Sequence, residues 1–115
     1  MNSDSRDMPL KLIAQRLKAL ADPSRLVILH SLCKGEMYVT EIVRETGFHQ
    51  ANVSKHLRIL REEGLVIPRR ERKRTYYTIS GTLHQDVCSL ICRSLESKAD
   101  SEREILKAYW KETHE

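Results

Sequence analysis

The amino-acid sequence predicts a mainly α-helical fold that carries one β-hairpin. Apolar residues recur at helical spacing through four successive segments, β-branched and aromatic residues replace that pattern between residues 65 and 79, and helical spacing resumes from Leu83. The 115-residue chain is 40% hydrophobic and 31% charged, which is the composition of one soluble globular domain. Four helices, a hairpin and a further helix in this order predict a winged helix-turn-helix, in which the hairpin is the wing.

The first two helices are defined by apolar spacing and by a start signal. Asp22 and Pro23 mark the start of the second helix, because Asp accepts hydrogen bonds from the first N–H groups of a helix and Pro fits its first position. That helix ends near Lys34 and Gly35. The first helix is predicted over residues 10–20, where the residues at helical spacing are Leu10, Ile13, Leu17 and Leu20.

A short helix and a longer one, joined by a tight turn, form the predicted helix-turn-helix. The third helix covers residues 40–46 and stops at Gly47. The fourth begins at His49 or Gln50 and ends at Gly64, and its predicted buried face consists of Val53, Leu57 and Leu60. A turn of three or four residues between the two helices is typical of this motif.

Two short strands follow the fourth helix. Residues 65–67 and 75–79 are rich in β-branched and aromatic side chains. The segment of residues 69–74 between them consists only of charged residues. We therefore expect a hairpin with a basic tip.

The chain is predicted to have three segments. Residues 1–9 form a flexible N-terminus, residues 10–98 the winged helix-turn-helix domain with its terminal dimerisation helix, and residues 99–115 a C-terminal helical extension. The polar start lacks the features of a secretory signal, and no apolar run approaches the roughly 18 residues that span a bilayer. We therefore expect a cytoplasmic protein with no membrane partner.

The excess positive charge is concentrated in one stretch. The net charge is +4, yet residues 55–75 carry eight basic and three acidic side chains. A solvated surface with no charged partner would show mixed signs throughout, as the rest of the chain does. The concentration of cations predicts a polyanionic partner, and the helix-turn-helix makes double-stranded DNA the expected one.

The fourth helix and the wing supply the candidate DNA-binding residues. A helix in the major groove reads base edges with side chains near its N-terminus, and Gln or Asn can pair with adenine through two hydrogen bonds. Cations on the wing suit phosphates or a minor groove. His56 has two interpretations, contact with DNA or packing against the wing. The predicted DNA-binding residues are His49, Gln50, Asn52, Ser54, Lys55 and Arg58 on the helix and Arg69, Arg70, Arg72, Lys73 and Arg74 on the wing.

Several motifs occur in the order of a known bacterial family. They are residues 22–26 (DPSRL), 53–60 (VSKHLRIL), 64–66 (GLV) and 76–77 (YY). Together they resemble the ArsR/SmtB family of winged helix-turn-helix transcriptional repressors, and the similarity covers residues 10–95. The resemblance implies a homodimer built from the first and last helices, which binds its operator without ligand and leaves it when an inducer binds.

The number of apolar residues on the first and last helices also predicts a dimer. These helices carry more apolar residues than so small a core needs. An operator-binding protein of this size also doubles its contacts with DNA when it forms a two-fold dimer. These residues are Leu10, Ile13, Leu17, Val87, Ile91 and Leu95.

The sensor sites of the best-known branches of the family are missing or incomplete. Arsenic-type members carry Cys-Val-Cys at the start of the third helix, where this chain has residues 38–40 (YVT), so that arsenic or lead site is absent. Zinc-type members use two pairs of acidic and His side chains on the last helix. His84 and Asp86 fit one pair, but Arg93 and Ser94 lie near the place of the second.

The last predicted helix offers a different set of ligands. His84, Cys88 and Cys92 are spaced four residues apart, so they share one helix face. They suit zinc, copper(I) or trivalent arsenic as inducer, and the thiols are also open to oxidation or persulfidation. Two alternatives stay open: the cysteines fill space in a dimer core, or the effector binds a different small-molecule pocket. Cys33, the third cysteine, is interpreted as a core residue unless it joins the sensor.

The sequence predicts a repressor that a soft metal, a metalloid or a thiol-modifying inducer releases from its operator. The alternative is a DNA-binding regulator with no metal or thiol effector and structural cysteines. An enzyme is not expected, because the sequence shows no Gly-rich phosphate loop, no paired catalytic carboxylates and no Ser-His-Asp arrangement. Catalysis by His84 and Cys88 would need a substrate pocket for which a chain of this size has little room.

Overall fold

A computed structural model describes residues 7–95 and 100–113, which form two compact units that divide between residues 81 and 82. The first unit holds α1 (Asp7–Leu20), α2 (Pro23–Leu32), β1 (Met37–Tyr38), α3 (Val39–Thr46), α4 (Gln50–Glu62), β2 (Val66–Glu71) and β3 (Arg74–Ile79). The second holds α5 (Leu83–Ser94) and α6 (Asp100–Thr113). The mainly helical fold with a hairpin wing is confirmed.

The segment boundaries differ in part from the sequence prediction. Helix α1 begins at Asp7, so residues 7–9, predicted to be flexible, are helical; Pro9 is tolerated there because the first turn of a helix leaves its N–H groups unbonded. Residues 1–6 lie outside the described part of the chain. Helix α5, which lies within the predicted segment of residues 10–98, packs against α6 in the second unit. Helix α6 lies in the predicted C-terminal extension, residues 99–115.

The start of α2 and the helix-turn-helix agree with the prediction. Asp22 is the N-cap of α2, and its Oδ1 accepts the N–H of Arg25 at 3.1 Å. Helix α3 ends at Gly47, whose φ of 78° lies in the left-handed region that favours glycine. Helix α4 starts at Gln50 with His49 as its N-cap, so three residues separate α3 from α4.

The end of α4 fixes the direction in which the chain enters the wing. Gly64 adopts a φ of 73° and donates its N–H to the carbonyl of Arg61 at 2.9 Å. Leu65 donates its N–H to the carbonyl of Leu60 at 2.8 Å. These two bonds form a Schellman motif, which ends the helix and turns the backbone into β2.

The wing is larger than the sequence predicted. It is a three-stranded antiparallel sheet in the order β1-β3-β2, and the short strand β1 was not predicted. Pairing of β2 with β3 continues from Val66 opposite Ile79 to Glu71 opposite Arg74. The segment of residues 69–74, predicted as the tip, therefore lies mostly within the strands, and the turn consists of Arg72 and Lys73 alone.

The core of the first unit lies between its helices and the base of the wing. The most deeply buried side chains, at most 1% exposed, are Ile28, Leu29, Ile42, Val53, Leu57 and Leu60. The α4 residues in this list are the three predicted to be buried. Among the described residues, no helix combines the length and apolar character needed to cross a membrane.

Candidate nucleic-acid interface

Helix α4 has two faces of opposite character. Val53, Leu57 and Leu60 are buried in the core. The other face carries the predicted base-reading side chains, all of which are exposed: His49, Gln50, Asn52, Ser54 and Lys55. Because none of these five side chains forms a hydrogen bond or ion pair with the described residues, their polar groups remain available to a ligand.

Arg58 lies further along the same helix and is paired. Its Nη1 atom lies 3.7 Å from Oε2 of Glu62, one turn away, and both side chains are more than half exposed. An exposed pair of this kind contributes little stability, so a phosphate can displace the carboxylate. Arg58 therefore fits a backbone contact at the end of the face.

Arg69, by contrast, is held by contacts within the protein. Its Nε and Nη2 atoms donate to both carboxylate oxygens of Glu36, at 2.8 and 2.7 Å, and its Nη1 atom donates to Glu71 at 2.7 Å. The hydrogen bond from Arg69 lowers the pKa of the Glu36 carboxyl below its usual range. Arg69 therefore anchors the wing to the segment before β1.

Arg74 takes part in a row of two aromatic rings with a cation at each end. Its guanidinium lies 4.2 Å from the centre of the Tyr38 ring, and that of Arg69 lies 4.8 Å from the centre of the Tyr76 ring. The two tyrosine rings contact each other edge to face, with centres 5.4 Å apart. We call these four side chains the cation–aromatic stack. Its Tyr38 begins the stretch that matches the thiol motif of the arsenic-type repressors.

The remaining wing cations are more available. Arg72 and Lys73 form the turn, both are exposed, and neither has a partner among the described residues. Arg72 has a φ of 56°, which is unusual for a residue with a side chain. Arg70 donates to the hydroxyl of Thr75 at 3.2 Å and is otherwise exposed. The structure thus separates the wing cations into an anchoring pair, Arg69 and Arg74, and an outward group.

One side-chain contact of α4 was not predicted. Nδ1 of His56, a half-buried residue, lies 3.3 Å from Nη1 of Arg25 at the start of α2. Arg25 also donates from Nε to the carbonyl of Ala19 at 2.6 Å and from Nη2 to the carbonyl of Lys18 at 3.3 Å. Arg25 and His56 lie in the two longest family motifs, residues 22–26 and 53–60. The presence of both motifs is the sequence signal that could have suggested a contact between them.

The predicted metal ligands all lie on α5. His84 is buried, whereas Cys88 and Cys92 are half-buried. The Cys92 sulfur lies 3.8 Å from the carbonyl oxygen of Leu106 on α6, a weak hydrogen bond at a packed contact. Across residues 7–95 and 100–113, no three His, Cys, Asp or Glu side chains come close enough together to hold a metal ion. A site built from two copies of α5 stays a prediction.

The family comparison matches the helix-turn-helix. A family model described as bacterial regulatory protein, arsR family, matches residues 22–67, from the N-cap of α2 into β2. The HTH-type transcriptional regulator NmtR from Mycobacterium tuberculosis is 41% identical over 70 residues, which are 61% of this chain and 58% of NmtR. A probable mercury resistance operon repressor from Streptomyces lividans is 36% identical over 77 residues, which are 67% of this chain and 62% of that protein. The chain thus spans less than two thirds of either relative.

A solved structure matches more of the chain. The solution structure of the homodimeric winged helix-turn-helix DNA-binding domain of Mb0332 from Mycobacterium bovis is 34% identical, with a TM-score of 0.72. The match covers 88% of this chain and 94% of that domain. The similarity therefore includes the wing as well as the helices.

Proposed function

We propose that this chain, which belongs to the arsR family of bacterial regulatory proteins, is a transcriptional repressor that binds double-stranded DNA as a homodimer. The observation that carries the proposal is the exposed polar face at the start of α4, where the side chains of residues 49, 50, 52, 54 and 55 form no hydrogen bond or ion pair within the described residues. An amphipathic helix that ends a helix-turn-helix and leaves such side chains unpaired is suited to a major groove. A protein with this function is located in the bacterial cytoplasm, where the DNA lies.

The wing adds contacts of a different kind. Gln50 and Asn52 suit base edges, and the flexible cations Arg72 and Lys73 suit the phosphate backbone. Because the turn of the hairpin is only two residues long, these two cations project from a rigid β-ladder. Base contacts would set specificity, and the wing would add affinity that falls with salt.

Exposed apolar side chains support the homodimer. On α1, Leu10, Ile13 and Leu17 are about half exposed or more, and on α5 Leu90 and Ile91 are as exposed. Exposed apolar side chains that recur along a helix in this way are typical of an interface. The homodimeric state of the Mb0332 domain supports the same assembly for this chain.

The DNA partner can be tested without knowing the operator. The protein is used to select binding sequences from a library of random duplexes. We expect enrichment of an inverted repeat whose half-sites are one helical turn apart, because a two-fold dimer presents two copies of α4. Failure to enrich any sequence would contradict the proposal, and enrichment of a single half-site would contradict the dimer.

The dimer has a test of its own. Ile13→Glu places a charge on the apolar face of α1, whereas Gln15→Glu places the same charge on an exposed residue outside the apolar series Leu10, Ile13 and Leu17. We expect sedimentation to show a dimer for the native protein and for Gln15→Glu, and a monomer for Ile13→Glu. A native protein that sediments as a monomer at micromolar concentration would exclude the assembly.

For the inducer, we propose a soft metal, a metalloid or a thiol-modifying agent that acts on His84, Cys88 and Cys92. Their placement along α5 supports this, as does the relative described as a mercury resistance operon repressor. Two copies of the helix would bring together the three or four ligands that a soft metal needs. The alternative, a regulator with structural cysteines, is favoured by the contact of Cys92 with α6.

Titration separates these alternatives. Release of the selected duplex is followed while zinc, copper(I), arsenite or a persulfide donor is added to the native protein and to the Cys88→Ser/Cys92→Ser variant. We expect at least one agent to release the native protein and none to release the variant, which keeps its affinity for the duplex. Identical responses of the two proteins would show that the thiols are structural.

A further inference from the structure

Arg25 connects three helices of the first unit through one guanidinium group. Two of its nitrogens donate to carbonyls at the end of α1, those of Ala19 and Lys18, and the third faces His56 on α4. Its backbone N–H is bound by Asp22, and its side chain is only 12% exposed. Because these contacts hold the guanidinium in place, it cannot easily move. If His56 becomes protonated, the His56 ring or α4 must therefore shift, rather than Arg25.

The contact with Arg25 defines the protonation state of His56. Arginine is a hydrogen-bond donor only and stays charged at any physiological pH. Nδ1 of His56, 3.3 Å from the guanidinium, must therefore be the acceptor, which requires a neutral ring with its proton on Nε2. A protonated ring would direct an N–H at another N–H and place two cations side by side.

We propose that His56 positions α4 for DNA binding only while its imidazole is neutral, so that protonation of His56 weakens DNA binding. The proposal rests on the function proposed above. His56 lies one helical turn after Asn52, on the same helix as the predicted base-reading side chains. Movement of the ring away from Arg25 would loosen the part of α4 that must lie in the groove.

The surroundings of His56 favour the neutral ring. Burial is the largest cause that lowers the pKa of His56 below its usual range, and the charges of Arg25 and Lys55 act in the same direction. Asp22 opposes them. Lys18 and Glu63 line the groove beside Arg25, and an Arg16–Glu63 ion pair at 4.0 Å connects α1 with the end of α4.

The direction of the effect follows from proton linkage. In the DNA-free protein, a protonated His56 ring can move away from Arg25. When α4 is bound in the major groove, the ring is held beside Arg25, and its protonation is disfavoured. Binding is then coupled to proton release, and affinity falls as the pH falls below the pKa of His56 in the DNA-free protein, which itself lies below the ordinary value of 6.5. The expected loss is about tenfold for each unit by which binding lowers the pKa of His56.

The test compares the native protein with His56→Asn. Asparagine carries a carbonyl oxygen in the position of Nδ1, so it accepts from Arg25 at every pH and does not titrate. Affinity for the selected duplex is measured from about pH 7.5 to about pH 5.5. We expect the native protein to lose affinity several-fold more than the variant over this range, with similar values for both at the upper end.

Two further measurements use the DNA-free protein. Nitrogen NMR of native His56 should show the tautomer with the proton on Nε2 near neutral pH. Because the folded pKa is lowered, the contribution of His56 to stability is present above about pH 6.5 and is lost as the pH falls through the folded pKa. The unfolding temperature of the native protein should therefore fall more on acidification than that of His56→Asn.

The outcomes distinguish this inference from the proposed function. Parallel pH profiles of the two proteins, or an Nδ1-protonated ring in the native protein, would overturn the role of His56 and leave the repressor intact. Absence of DNA binding by both proteins near pH 7.5 would overturn the proposed function and this inference with it.

Discussion

The exposed face of α4 and the wing carry similar polar and basic side chains, but the protein uses them differently. On α4 the side chains of Gln50 and Asn52 have no partner among the described residues. On the wing, Arg69 is bound by two carboxylates, and Arg74 lies on a tyrosine ring. A cluster of cations in a sequence therefore indicates an anionic ligand. Whether each cation is available to bind that ligand depends on its neighbours in the fold.

The difference has a structural cause. Side chains on the solvent face of a helix have as helical neighbours only residues three or four positions away, so a polar face can stay unpaired. A sheet places side chains of adjacent strands about 5 Å apart, so Arg69 lies opposite Tyr76 and beside the segment that carries Glu36. Some of the cations of the wing therefore bind groups of the protein itself and stabilise the sheet.

The largest effect is expected from the unpaired side chains of α4. Replacement of Gln50 or Asn52 by alanine should weaken binding to the selected duplex by about 1–3 kcal/mol while binding to unrelated DNA stays nearly unchanged. Titrations with both duplexes measure the two affinities. Gln15→Ala, which removes the same amide from α1, serves as the matched control. Equal losses on both duplexes would show that α4 does not read bases.

A smaller effect should separate the two groups of wing cations. Lys73→Ala removes an unpaired cation, so the slope of log affinity against log salt should become less steep by about 0.9, equally for specific and unrelated DNA. Arg69→Ala should change the slope less and lower the unfolding temperature, because it removes the hydrogen bonds to Glu36 and Glu71. If both variants change the slope alike and leave stability intact, Arg69 is a DNA contact and the distinction fails.

The smallest effect tests whether the anchoring charge can be released. Glu36→Gln keeps the shape of the side chain but removes the carboxylate that binds Arg69. The unfolding temperature should fall modestly, and DNA affinity should rise at low salt because the wing loses a negative charge and weakens its hold on Arg69. Glu62→Gln, which releases Arg58 without touching the wing, is the control for added positive charge. Unchanged stability of Glu36→Gln would show that the ion pair does not anchor the wing.

Local signals predicted most of the fold. The N-cap at Asp22, the stop at Gly47 and the end of α4 at Gly64 were all identified from residue type, because caps and left-handed turns depend on the backbone of a few neighbouring residues. The buried face of α4 followed from apolar spacing for the same reason. The start of α1 was placed three residues late, since helix ends are weakly determined by pattern alone.

Contacts between segments that are far apart along the chain could not be predicted from such local patterns. Strand β1 is two residues long and exists only because Met37 and Tyr38 pair with β3. Glu36 and Arg69 are separated by 33 positions, and Arg25 and His56 by 31, so no periodicity connects them. The candidate DNA-binding residues were therefore identified by type and position, but their division into available and anchoring side chains was not.

The sequence by itself determined that α4 is amphipathic and that cations cluster after it, because spacing and residue type fix these properties along the chain. The tertiary structure decided which cations remain unpaired, and it placed His56 against Arg25 of α2, a contact that neither interpretation of His56 from the sequence included. Hydrogen bonds and ion pairs act over a few ångströms in space, regardless of separation along the chain. Which partner a side chain obtains is therefore set only when α1, α2, α4 and the wing have packed together.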